Sequence, residues 1–149
     1  MTVAAIAPCV VLPGDGRKLR TPSGADVVVK LSSQTTGGTL TVIEMGRERG
    51  DARGPRPHRH SNMDESFFVV EGAFVFELEG QLFDAPAGTI VFVPRGTRHR
   101  IRSTGTASGR LLAFSAPGGI DAFFEEIVDP NVRLSDAFHK HGFVFDDHD

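Results

Sequence analysis

The sequence predicts an all-β sandwich or barrel with a short helical segment near the C-terminus, and three observations lead there. Turn-forming clusters recur at short intervals, from Pro13-Gly14-Asp15-Gly16 through Gly37-Gly38, Gly72, Gly80 and Pro94-Arg95-Gly96 to Pro117-Gly118-Gly119. Strands of about five residues require that punctuation. Between the turns stand short runs rich in Val, Ile, Phe and Thr, the residues that suit a pleated, half-buried surface. Within residues 73–79, Phe74, Phe76 and Leu78 alternate with Val75, Glu77 and Glu79, giving the period of two expected of an antiparallel strand with one wet face.

Taken in order, the expected strands are 27–31, 39–45, 66–70, 73–79, 89–93, 99–103 and 110–115. Residues 89–93 are apolar on both parities, which predicts a strand covered on both faces. After Gly119 the spacing changes. Ile120, Phe123, Phe124, Ile127 and Val128 recur at helical intervals, with Asp121 in the first turn and Pro130 beyond the end. That pattern predicts an amphipathic helix packed on the outside of the sheet or over an open end. Residues 133–149 read as a second short helix, a strand around 142–145 and an acidic end. A length of 149 residues suits a single domain, with a barrel core over about 25–116 and the helix and tail over 117–149.

Composition removes whole classes of function. Sixteen Lys and Arg against nineteen Asp and Glu give a net charge of −3, so no footprint for nucleic acid or anionic lipid is expected. No apolar run approaches the ~20 residues of a membrane span. Residues 1–12 are apolar but lack a basic start and are broken by Pro8, which argues against a signal peptide and for a cytoplasmic protein. The one cysteine, Cys9, cannot form an internal disulfide and reads as a small buried apolar residue or an idle thiol. Twelve Phe stand beside no Tyr and no Trp. Acid, base and ligand duty therefore falls on six His and the carboxylates.

Those residues concentrate in two segments. In Pro57-His58-Arg59-His60-Ser61-Asn62-Met63-Asp64-Glu65, an extended backbone points His58 and His60 to one face, and Glu65 follows closely enough for a bend to return its carboxylate. A third imidazole, His99, closes Pro94-Arg95-Gly96-Thr97-Arg98-His99. Three imidazoles and a carboxylate suit one divalent first-row metal, with Fe, Mn, Ni, Co, Cu and Zn all accepting that set. By strand parity, Phe67 and Val69 share the face of Glu65, and Ile101 shares that of His99, so these three are candidate substrate-pocket residues.

The two segments resemble the paired motifs of the cupin superfamily. The first motif reads Gly, five residues, His-x-His, three or four residues, Glu, six residues, Gly. His58, His60, Glu65 and Gly72 match it, while Ala52 holds the leading Gly position between Gly50 and Gly54. In the second motif Gly88, Pro94, Gly96 and His99 fall at full spacing, and Ser103 replaces the terminal Asn. The resemblance implies a jelly-roll barrel (a double-stranded β-helix) with His58, His60, Glu65 and His99 as metal ligands. The small single-domain layout is similar to quercetin dioxygenase-like cupins. It implies an oxygenase acting on a small oxygenated or aromatic molecule, with Glu65 as ligand and catalytic base. Cupins with this ligand set also include isomerases, cyclases, decarboxylases, lyases and non-enzymatic ligand-binding proteins. The family's habit of pairing implies a homodimer, with the 27–31 strand and Phe123-Phe124 as contacts.

The other polar residues read as structural. Asp64 has opposite parity to Glu65 and is expected to face outward. Arg47, Arg49, Arg53, Arg56 and Arg59, then Arg95, Arg98, Arg100 and Arg102, read as a solvated rim, with steering of an anionic substrate as the lesser alternative. His139, His141 and His148 are placed on the surface of the tail. Phe74, Phe76, Phe92 and Phe114 read as core or barrel lining.

Overall fold

The computed structural model describes residues 5–47, 55–103 and 108–147, with backbone alone at Arg47 and Ser103. The expectations for Arg49, Ala52, Arg53, Gly54 and His148 fall outside the described residues. Strands β1 (Arg17–Arg20), β2 (Asp26–Leu31), β3 (Thr41–Arg47), β5 (Asp64–Glu71), β8 (Ile90–Val93) and β10 (Gly109–Ala116) form a six-stranded sheet in the order β1-β2-β3-β10-β5-β8. A second sheet, β7-β6-β9, joins β6 (Ala73–Leu78), β7 (Gln81–Pro86) and β9 (His99–Ser103). Every pairing is antiparallel. Two residues of β4 (Arg59–His60) pair with β11 (Phe143–Val144). Between β10 and β11 lie helices α1 (Ile120–Ile127) and α2 (Leu134–Lys140).

The alternation in β6 turns Phe74 and Phe76 into the core, where they are 1% and 0% exposed. They pack with Phe67, Val69, Val93, Ile101 and Leu111 between the sheets. Gly72 makes the sharp turn from β5 to β6 with φ +71, and a Cβ there would stand 2.6 Å from the Ser108 carbonyl oxygen. Only glycine satisfies both the left-handed backbone and that close approach.

Several expectations fail at the sheet edges. Ile90 and Phe92 are 73% and 61% exposed, so β8 is not covered on both faces. It ends the six-stranded sheet, and only Val91 and Val93 turn inward. Phe114 also faces out rather than into the core, at 38% exposure. β1 and β7 carry no strand signal in the sequence because both are polar edge strands: β1 is mostly charged, and β7 carries Asp84 and Pro86 and buries only Ala85. Polar edges are how sheets avoid pairing with other chains. Cys9 is exposed, not buried.

α1 and α2 cover one open end of the barrel, the second of the two placements the sequence allowed. Ile120, Phe123 and Ile127 turn inward against Val27, Ile43 and Met63. Phe123 is therefore buried at 4% exposure and is not free for a partner, and Val27 and Val29 are likewise core residues. Asp121, expected only to favour the first turn, is buried and accepts hydrogen bonds from the Ser33 amide and hydroxyl and from the Thr41 hydroxyl at 2.9–3.0 Å. Those bonds pin the helix to the sheet.

Candidate metal centre

Four buried polar side chains meet beneath the helices. His58 and His99 are held opposite each other by a reciprocal backbone pair, each amide donating to the other's carbonyl at 3.0 and 2.9 Å. The Pro94-Arg95-Gly96 turn that leads to His99 is tied to the first motif, since the Gly96 amide donates to the His60 carbonyl at 2.8 Å. Gly96 has φ +82, which explains glycine in that turn. Glu65 sits at the start of β5 between Val93 of β8 and Ser115 of β10. His58, His60, Glu65 and His99 are 6%, 3%, 6% and 2% exposed.

The ring nitrogens converge. His58 Nε2 lies 3.2 Å from His60 Nε2, and Glu65 Oε2 lies 3.1 Å from His99 Nε2 and 3.2 Å from His60 Nε2. The outward nitrogens Nδ1 of His58 and His99 lie 3.0 and 2.9 Å from the Arg56 and Thr97 carbonyls. A carbonyl only accepts, so both Nδ1 atoms carry the proton and both Nε2 lone pairs point inward. Burial, followed by the neighbouring His99 and His60, pushes the His58 imidazole down to about 3, so it stays neutral. Burial pushes the Glu65 carboxyl up, while the contact with His60, whose Nε2 can carry a proton, pulls it below the usual carboxylate range.

The centre therefore gathers acceptors with too few protons to share. His99 Nε2 and Glu65 Oε2 face each other as two acceptors, and His60 Nδ1 is buried without a partner. A cation resolves that conflict. Spacings of 3.1–3.2 Å also suit neighbouring ligands at ~2.1 Å from one divalent ion, so the donor set fits a metal. Among the described residues, His58, His60 and His99 are the three-imidazole group able to hold an ion.

Above the centre lies a cavity of about 320 Å³. Its walls include Phe67 and Ile101, as strand parity predicts, together with Ile43, Met45, Ala113 and Ser115. Val69, the third predicted pocket residue, belongs to the core further along β5 and does not line it. The roof was not foreseen. Phe123, Phe124, Phe138 and Phe143 close the cavity from α1, α2 and β11, and Phe143 lies 4.5 Å from the His60 ring and 5.2 Å from that of His58, centroid to centroid. Helical spacing marked Phe123 as apolar, but no local signal tells that residues 123, 138 and 143 meet.

The other predicted residues lie outside. Asp64 faces outward and accepts from the Arg95 amide and guanidinium. Arg59 pairs with Glu79 and Asp146, Arg98 with Glu77 and Asp146, and Arg102 with Glu77. No arginine among the described residues lines the cavity. His139 is exposed, but His141 has a partner, its Nε2 donating to Glu126 at 2.6 Å. That bond, with Lys140 at 3.2 Å, latches α2 to α1 and holds the Glu126 carboxyl below its ordinary 4.5. A carboxyl depressed on folding contributes stability above its unfolded pKa and loses it as pH falls through the folded value. Wild type is expected to melt above Glu126→Gln at about pH 5 to 7, with the difference shrinking as pH falls below the ordinary 4.5; thermal scans down through the acid range check it.

The chain matches the model of the Cupin domain family over residues 39–115. Protein SchB of Streptomyces halstedii is 30% identical over 94 residues, covering 63% of this chain and 67% of that protein. Tetracenomycin polyketide synthase protein TcmJ of Streptomyces glaucescens is 27% identical over 117 residues, 78% of this chain and 70% of that protein. The polyketide cyclase RemF from Streptomyces resistomycificus superposes with a TM-score of 0.62 at 19% identity, over 74% of this chain and 80% of that one, a likeness of fold.

Proposed function

The chain belongs to the cupin family, and from that premise we propose that it is a metal-dependent enzyme promoting cyclisation of a small, oxygen-rich, polyketide-like substrate. One observation carries the reading: buried acceptors His58, His60, Glu65 and His99 form one wall of an apolar, phenylalanine-roofed cavity. About 320 Å³ is at the small end of the ~300–1,000 Å³ of ligand sites and suits a compact planar molecule. The polyketide-related names among the similar proteins support the same substrate class.

A divalent metal bound by His58, His60, His99 and Glu65 would supply Lewis acidity to a carbonyl or enol oxygen. The roof, Phe123, Phe138 and Phe143, excludes water and stacks on the substrate's plane. With Oε2 against the rings of His60 and His99, Glu65 Oε1 is the atom to receive a proton from substrate carbon.

The oxygenase implied by the quercetin dioxygenase-like layout is the second reading, since the same ligand set serves it. Anaerobic incubation of metal-loaded protein with 2′-hydroxyacetophenone in D2O separates them. Metal-dependent exchange of the acetyl protons, lost in Glu65→Gln, supports the first. Oxygen uptake matched to substrate loss in air, without anaerobic exchange, replaces it with the second. We also propose a cytoplasmic homodimer, paired not through Phe123 but through the outer sheet face that exposes Ile90, Phe92 and Phe114. A monomeric mass in solution scattering at micromolar concentration would remove the dimer.

A further inference from the structure

Among the described residues, one hydroxyl on the cavity wall has nothing to bind. Thr41, Ser115, Glu65 and Val93 stand in a single row across β3, β10, β5 and β8, all on the inner face. Thr41 is committed, donating to Asp121 at 2.9 Å and accepting from the Gly119 amide at 3.0 Å. Thr21 and Ser23, the other hydroxyls on the cavity wall, bond each other at 2.9 Å. Ser115 lines the cavity, is 1% exposed, and its Oγ has no hydrogen-bond partner. A buried hydroxyl without a partner costs free energy that an alanine of nearly the same shape would avoid. The remaining wall around it, Ile43, Met45, Phe67 and Ala113, offers none.

We propose that Ser115 is a substrate-anchoring residue that reads a second oxygen of the ligand. The inference rests on the cavity being the substrate site. Adjacent strands are ~4.8 Å apart, so Ser115 stands one strand from Glu65. A ligand whose first oxygen is at the His58, His60, Glu65 and His99 cluster brings a second oxygen, on the next carbon but one, toward Ser115 Oγ. The ligand class is therefore a planar 1,3-dioxygenated molecule, either a 1,3-diketone or its enolised aromatic form. A mono-oxygenated ring of the same size leaves the hydroxyl orphaned, and the site discriminates against it.

The test uses cobalt(II)-loaded protein titrated with 1,3-dihydroxynaphthalene and with 1-naphthol, which differ by that one oxygen. Wild type is expected to favour the dihydroxy probe by about three- to tenfold, the share of one net hydrogen bond. Ser115→Ala is expected to abolish the preference, keep the 1-naphthol affinity and cobalt affinity, and melt no lower than wild type. Preference surviving in Ser115→Ala overturns the anchoring role and leaves the cavity reading intact. A variant that melts lower and weakens both probes equally assigns Ser115 to packing and also overturns it. If cobalt binds but neither probe does, the cavity reading fails and takes the proposal with it.

Discussion

Replacing His99 with alanine is expected to lower affinity for a divalent metal by more than about 100-fold, because loss of a ligand exceeds the 10–100-fold cost of losing a group behind one. His99 is the natural choice among the four. Its Nδ1 is held by the Thr97 carbonyl, its backbone is paired to His58, and its Nε2 faces Glu65 at 3.1 Å, so it connects both motifs. Metal bound to the folded chain alone raises stability by ~2.7 kcal/mol at a hundredfold excess over Kd, which is ~5–11 °C in melting temperature for a chain of this length. Wild type should therefore lose that increment on chelation, while His99→Ala should shift by less than about 2 °C at the same metal concentration. Metal analysis of protein purified without chelator, paired with scans before and after chelation, reads both effects. A variant that retained one ion per chain and the full metal-dependent shift would remove His99 from the ligand set.

Only part of the centre is local: His58 and His60 need just an extended backbone to share a face. That His99 joins them across a long-range backbone pair was implied by the resemblance to the two cupin motifs and not by any local geometry. The alternation of Phe74 and Phe76 placed β6 directly. The roof was not legible, since Phe123, Phe138 and Phe143 meet through two helices and a strand whose packing no spacing encodes. Asp121 shows the same limit: its position suggested a dipole effect, but its partners Ser33 and Thr41 lie 88 and 80 residues away. β8 misled for the opposite reason. Its apolar residues on both parities record composition, and composition does not distinguish a doubly covered strand from an edge strand with Ile90 and Phe92 turned outward.

That distinction sets the size of the second large effect. Phe76→Ala is expected to destabilise the fold by ~3–5 kcal/mol, the usual cost of emptying a buried phenylalanine site. Phe76 is 0% exposed and packs on Phe67 at 5.4 Å between ring centroids, and β6 is fixed on both sides by β7 and β9, so the surrounding strands cannot collapse into the space. Leu82→Ala, on a residue 59% exposed at the edge strand β7, is expected to cost less than ~0.5 kcal/mol. Both residues are apolar and stand in neighbouring strands, and only the direction of the side chain separates them. Denaturant titration of the two variants measures the contrast directly. Phe76 does not line the cavity while Phe67 does, so metal binding should persist in Phe76→Ala wherever the protein remains folded, and ligand affinity should change only through the position of Phe67. Equal destabilisation by the two substitutions would mean that β6 does not carry the core between the sheets.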